Sequence, residues 1–146
     1  MSDFDHITPF GLVRTIAAAG REHPAIYFLI CEAAVATLVE ADLRIEIDIQ
    51  LDAPVRTESI SGLRDKDLPL ARDGSIWLVH VDQWLPELID SLDRHSPFLV
   101  QGGSQLLLLV ENEMAKRILW RAPNLRNRLT DVFEIAPEHL AGEHVA

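Results

Sequence analysis

The strongest constraint on the fold comes from two short segments that are apolar on both alternating faces, apart from Gln105 at the start of the second. Residues 25–31 read Ala-Ile-Tyr-Phe-Leu-Ile-Cys, and residues 105–110 read Gln-Leu-Leu-Leu-Leu-Val. A strand with one face in water alternates between apolar and polar residues, whereas a strand covered on both faces is a continuous apolar run. We therefore expect these segments to be the central strands of a sheet that carries helices on both faces.

Helix and strand patterns alternate along the rest of the chain. Thr8 followed by Pro9 predicts the start of a helix that ends at Gly20. The other predicted helices cover 33–42, 83–94 (capped by Asp82), 114–120 and 125–129, and two further strands cover 75–81 and 132–135. This alternation predicts one α/β domain over residues 1–146, a three-layer sandwich with a mainly parallel, five-stranded sheet and right-handed crossovers.

The fifth strand and the irregular segments are predicted from the polar residues. In residues 44–52 the aliphatic side chains alternate strictly with charged or polar ones; they are Ile45, Ile47, Ile49 and Leu51. A period of two predicts a strand with one wet face at a sheet edge, and the short strand 132–135 is expected at the other edge. Residues 55–73 are expected to form a loop with one short helical turn, and residues 1–7 and 137–146 to fray.

Charge and composition exclude several classes of function. The chain has 13 Lys and Arg against 23 Asp and Glu, a net charge of −10, so nucleic acid and anionic membranes are poor partners. One cysteine excludes an internal disulfide and a cysteine zinc cluster, and no metal is expected. Without an apolar run of spanning length or a secretory signal pattern, the expected location is the cytoplasm.

The junction between the first buried strand and the next helix argues against phosphate binding. Loops that hold nucleotide phosphates are rich in glycine, because bare backbone N–H groups must surround the anion at a helix N-terminus. Here the junction reads Cys31-Glu32-Ala33-Ala34, with no glycine and no lysine. The carboxylate of Glu32 would also repel a phosphate.

Three segments of the second half carry a family resemblance. Residues 74–81, Gly-Ser-Ile-Trp-Leu-Val-His-Val, are similar to a Walker B stretch that usually reads Gly-Thr-Leu-Phe-Leu-Asp-Glu-Ile. Residues 107–112 resemble a sensor strand with its asparagine at Asn112, and residues 125–135 resemble a Leu-Tyr-Tyr-Arg-Leu-Asn-Val-Phe-Pro-Ile signature with its arginine at Arg128. The chain thus resembles the AAA+ core domain of sigma-54-dependent transcriptional activators. That family's sheet has its phosphate-loop and sensor strands in the centre and its second strand at an edge.

Against this family the chain lacks the parts that perform catalysis. The phosphate loop is shortened to Cys31-Glu32, and Val79-His80 replaces the Asp-Glu pair that holds the metal and activates water. The loop that contacts the sigma factor has no counterpart between Pro54 and Arg72, and no lid or DNA-binding domain is expected within residues 1–146. Phosphoryl transfer depends on positioning and on charge neutralisation by such parts. The resemblance therefore implies a degenerate, truncated relative that is not an enzyme and needs no cofactor.

Three functions remain open at this point. The first is a regulatory or scaffold module in bacterial signalling or transcription control that binds a protein partner, with a homodimer as a further expectation. The second is a nucleotide or small-molecule sensor that binds without hydrolysis in a remnant pocket at the carboxyl end of the sheet. The candidate residues for that pocket are Glu32, His80, Asp82, Asn112 and Arg128. The third is an unrelated enzyme that uses His80 and Asp82.

Simpler roles compete for the same residues. His80 lies in an apolar run, which is typical of a core histidine with a satisfied partner. Cys31 is expected to be structural, since a neighbouring carboxylate disfavours the thiolate. The basic residues near the C-terminus are interpreted as a solvated helix surface; they are Lys116, Arg117, Arg121, Arg126 and Arg128.

Overall fold

Six strands and five α-helices alternate along the described part of the chain. The computed structural model describes residues 4–20, 22–63, 74–100 and 103–138. The strands are β1 (Asp5–Ile7), β2 (Ala25–Ile30), β3 (Val55–Ser59), β4 (Ile76–Val81), β5 (Gln105–Val110) and β6 (Asp131–Ile135). The helices are α1 (Pro9–Ala19), α2 (Ala36–Gln50), α3 (Pro86–Arg94), α4 (Asn112–Arg121) and α5 (Pro123–Arg128).

The strands form one sheet in the order β1-β6-β2-β5-β4-β3, and every neighbouring pair is parallel. The two apolar runs occupy the centre as predicted, with Ala25–Ile30 paired in register with Gln105–Val110. All six residues of β5 are buried. The predicted α/β class and parallel sheet are confirmed, with six strands in place of five.

The sheet is covered by helices on both faces, which confirms the three-layer arrangement. Alternate side chains of each strand enter separate cores, as the pleat requires. Phe28 packs in the core beneath α3, α4 and α5. Its neighbours Tyr27 and Leu29 pack in the core beneath α1 and α2.

The ends of α1 follow the sequence prediction. The Thr8 hydroxyl accepts a hydrogen bond from the backbone N–H of Gly11 at 3.0 Å, and Pro9 occupies the first turn. This bond satisfies one of the N–H groups that have no partner within the helix. At the other end Gly20 has φ of 103°, a backbone conformation that glycine adopts without steric cost.

The predicted edge strand over residues 44–52 is wrong, because this segment belongs to α2. Val39, Leu43 and Ile47, spaced four residues apart, lie on the core side of the helix. Ile45 and Ile49 lie outside, with 56% and 71% of their surface exposed. Successive helical residues are rotated by about 100°, so residues two apart do not share a face. The alternation of isoleucine with charge therefore reflects a helix with two apolar sides, not a pleated strand.

Both predicted edges of the sheet are also wrong. β3 forms one edge and lies in the segment predicted as a loop, and β1 forms the other and lies in the lead predicted to fray. As a result β6 is an inner strand, held between β1 and β2. β1 and β3 are short and polar in part, so only their backbone pairing with a neighbour distinguishes them from loops. Residues 64–73, predicted as loop, lie outside the described residues, whereas the expected helical turn occurs at Ile60–Gly62.

The helices after β4 begin elsewhere than predicted. α3 starts at Pro86, and Asp82 does not cap it, because the Asp82 carboxylate accepts hydrogen bonds from Ser59 instead.

The start of the predicted C-terminal tail is ordered by contacts. Residues 137–138 do not fray: Pro137 is buried, and the backbone N–H of Glu138 donates to the Asp42 carboxylate at 2.9 Å. Residues 139–146, the rest of that predicted tail, lie outside the described residues.

Candidate functional site

The candidate site lies at the carboxyl edge of the sheet, where the chain leaves neighbouring strands in opposite directions. After β2 the chain crosses one face of the sheet through α2, and after β5 it crosses the other face through α4 and α5. Open α/β sheets bind ligands in the crevice that this divergence creates. Here Cys31 follows β2 and Glu111 follows β5, and the backbone N–H of Cys31 donates to the carbonyl of Val110 at 3.0 Å.

A first cavity of about 510 Å³ opens on the α2 side of this crevice. α2, β3 and β4 supply most of its wall. Its ionisable and hydroxyl side chains are Cys31, Thr37, Glu40, Thr57, Glu58, Ser59, His80, Asp82 and Glu111. The volume is within the range of about 300–1,000 Å³ that small-molecule sites occupy.

A histidine–carboxylate pair forms one wall of the first cavity. The Nε2 atom of His80 lies 2.6 Å from an oxygen of Glu40, and both side chains are partly buried. Since a carboxylate can only accept, Nε2 carries the hydrogen of this bond. Glu40 is held in turn by Arg44, one turn further along α2, at 3.2 Å. His80 is satisfied, as expected, but it lies at the cavity wall and not in the core.

A serine–aspartate pair forms the adjacent wall. Ser59 ends β3 and is the register partner of His80 in β4. Its hydroxyl lies 2.8 Å and 2.9 Å from the two carboxylate oxygens of Asp82, and 2.9 Å from the hydroxyl of Ser61. Asp82 is therefore held at the mouth of the cavity with its charge accessible to solvent.

A second cavity of about 530 Å³ lies on the other side of the β2–α2 junction. Its polar wall includes His6, Glu32, Asn112, Glu113 and Glu134. His6 and Glu134 lie on paired strands, and their side chains approach to 3.3 Å. Cys31 and Glu111 line both cavities, so the two cavities meet at the ends of β2 and β5.

The electrostatic character of this edge is negative throughout. Four carboxylates line the first cavity and four line the second, with Glu111 common to both, and no lysine or arginine in the described ranges lines either one. Among the residues with a described position, no group of three metal-ligating side chains is close enough to hold an ion. The edge therefore repels phosphate groups and favours cationic or basic ligands.

The structure divides the predicted pocket residues into three places. His80 and Asp82 line the first cavity, whereas Glu32 and Asn112 line the second. Arg128 lies exposed in the last turn of α5 and belongs to neither wall. The prediction of a single remnant pocket lined by all five residues is therefore wrong.

Six polar residues of the first cavity were missed in the sequence; they are Thr37, Glu40, Thr57, Glu58, Ser59 and Glu111. Glu111 directly follows a predicted central strand, so its position at the carboxyl edge could have been found from the strand alone. Glu58 and Ser59 belong to β3, which carries no clear strand pattern. Glu40 is brought to His80 by the packing of α2 against the sheet, and no local pattern signals that contact.

Cys31 is held as a neutral thiol, as expected for a structural cysteine. Burial, together with the nearby carboxylates of Glu111 and Glu32, raises the pKa of this thiol from its ordinary value of 9.0 to about 11. At pH 8 this shift lowers the thiolate fraction about a hundredfold. We expect iodoacetamide to modify the native protein about a hundredfold more slowly than the urea-unfolded chain, measured by mass spectrometry. Equal rates in the two states would contradict the buried environment of Cys31.

Comparisons with known proteins give no family assignment. No protein-family model matches the chain, and no curated protein matches it. Within the described ranges no helix is both long and apolar enough to cross a membrane. Function is therefore inferred from the geometry and charge of the sheet edge.

Proposed function

We propose that this chain is a non-catalytic regulatory or scaffold module that acts by binding another protein. The observation that carries the proposal is the ring of carboxylates at the carboxyl edge, where a triphosphate would have to bind. The proposal includes a role in bacterial signalling or transcription control. It also includes residence in the cytoplasm, whose reducing conditions suit a chain with a single free cysteine.

The strand order supports descent from an AAA+-like scaffold. Without β1 the sheet reads β6-β2-β5-β4-β3, so the strands that resemble the phosphate-loop and sensor strands are central. The strand that follows β2 in the chain, β3, forms an edge of the sheet. This is the arrangement of the family that the sequence resembles, although the residues of the edge strand are not those expected from the alternating pattern.

The positions that would perform ATP hydrolysis carry other chemistry. Glu32 follows β2 where a phosphate loop would begin, and it is exposed at the second cavity. Val79, at the position of the metal-holding carboxylate in the resemblance, is fully buried in the core. His80, at the next position, is bonded to Glu40. These residues favour a module that works through contact and not through turnover.

Calorimetric titration with ATP and magnesium tests the non-catalytic part of the proposal. We expect no saturable heat at millimolar nucleotide, because the two cavities present carboxylates to the phosphates. The opposite result is micromolar affinity that is lost in Asn112→Ala, which lines the second cavity, and kept in Arg128→Ala, which lines neither. That result would make the chain a nucleotide-binding protein and end the proposal.

The second candidate function is a small-molecule sensor, and the first cavity favours it. Its volume of about 510 Å³ suits a ligand, and its Glu40–His80 and Ser59–Asp82 pairs place polar groups toward the interior. A cationic compound matches the charge of the wall. Thermal-shift screening would then show saturable stabilisation that Asp82→Asn removes.

A further inference from the structure

The outer side of α2 carries an apolar stripe that covers nothing in the described structure. The stripe consists of Leu38, Ala41, Ile45 and Ile49, which follow the helical spacing of one face. Leu38 is 47% exposed, and the two isoleucines are more exposed still. The stripe lies on the side opposite to Val39, Leu43 and Ile47, which fill the core.

The exposure of several aliphatic side chains in one row is not explained by the packing of the core, since these side chains contribute little to it. Single apolar residues on a surface are ordinary, but a contiguous apolar patch with a polar border marks an interaction site. A row with this spacing on a 15-residue helix is suited to pairing with a second helix, since each side chain can pack between residues of the partner.

The charges beside the stripe indicate the chemistry of the partner. Asp42 and Glu46 border one side, partly buried, and Asp48 borders the other, exposed. Asp42 accepts a hydrogen bond from the backbone N–H of Glu138, and Glu46 accepts one from the Gln50 side chain, but both carboxylates keep their charge. Arg44 is already bonded to Glu40 and to the Thr57 hydroxyl. Because both borders are acidic, a second copy of the chain would place carboxylates against carboxylates in either helix orientation, and the net charge of −10 adds to that repulsion. A partner with basic flanks would instead be attracted.

We propose that the stripe binds an amphipathic helix of a partner protein, whose apolar face is bordered by lysine or arginine. This inference rests on the proposed contact function and gives it a surface and a class of partner. It also accounts for the sequence of α2, in which isoleucines alternate with acidic residues along a helix. One set of aliphatic residues anchors α2 to the sheet, and the other set meets the partner.

Three fluorescein-labelled peptides of about 18 residues, long enough to form a helix alone, serve as probes. The first is amphipathic with leucine on one face and lysine elsewhere, the second has glutamate for every lysine, and the third scrambles the first. Fluorescence anisotropy at physiological ionic strength should show saturable binding of the first peptide and at least about tenfold weaker binding of the others. Equal binding of the acidic peptide would overturn the proposal.

Variants of the protein then locate the binding surface. The double change Ile45→Ser with Ile49→Ser should weaken the basic peptide by at least about tenfold, as expected for central anchor residues. The matched control is Trp120→Ser on α4, where the side chain is 85% exposed, and it should change affinity by less than about twofold. Unchanged binding in the double variant would overturn the proposal.

Two further results distinguish the stripe from a homodimer interface and from the first cavity. Sedimentation should find the same oligomeric state for the wild-type protein and the double variant; a dimer that the double variant dissociates would assign the stripe to a second copy and overturn the proposal. Peptide binding that survives the double variant but is lost in Asp82→Asn would also overturn this surface while the contact function stands. Saturable ATP binding would end the contact function whatever the peptides do.

Discussion

Replacing Ile47 with alanine should lower the free energy of unfolding by about 2–5 kcal/mol, whereas the same change at Ile49 should alter it by less than about 0.5 kcal/mol. Ile47 is fully buried between α2 and the sheet, so its truncation removes apolar contacts and leaves a cavity. Ile49 is mostly exposed, so its truncation removes little. Urea unfolding followed by circular dichroism measures both values.

The two variants are matched, because both replace isoleucine with alanine in the same helix. The gain in helix propensity is therefore similar in each, a few tenths of a kcal/mol. In a strand, residues 47 and 49 would face the same side and the two changes would have similar effects. Equal losses of stability at the two positions would contradict the helix.

The centre of the fold can be predicted from the sequence because it depends on local composition. β2 is a continuous apolar run and β5 is one from Leu106 onward, a pattern typical of strands that are covered on both faces. The ends of α1 depend on three residues whose side chains or backbone act locally, Thr8, Pro9 and Gly20. These local signals can therefore be read from the sequence without knowing which elements pack beside them.

The edges could not be predicted because they depend on contacts between distant segments. The residues of α2 satisfy two periods at once: Val39, Leu43 and Ile47 repeat every four, and Ile45, Ile47 and Ile49 repeat every two. Burial by the sheet selects the first. β1 and β3 become strands because β6 and β4 offer them unpaired backbone groups, and nothing in three or five mixed residues signals this.

The candidate site likewise combines residues that local sequence signals can place with residues that only tertiary contacts bring together. Residues directly after predicted strands, such as Asp82 and Glu111, can be placed at the carboxyl edge from the strands alone. Their partners cannot, since Ser59 reaches Asp82 through the pairing of β3 with β4, and Glu40 reaches His80 across the layer between helix and sheet. The sequence therefore indicates which edge is polar, and the tertiary structure determines which side chains form pairs there.

Introducing the carboxylate that an ATPase would need should unfold this protein or come close to it. Val79 is fully buried in the core beneath α3 and α4, where a charge would have no partner, so Val79→Asp should cost at least about 3–5 kcal/mol. Val79→Ala measures the loss of the methyl groups alone, about 2 kcal/mol. At the next residue His80 faces the first cavity, and His80→Gln should cost less than about 2 kcal/mol. Urea unfolding compares the three variants. A stable Val79→Asp protein would show that this position can still accept a carboxylate, and it would weaken the case for a scaffold committed to binding by contact.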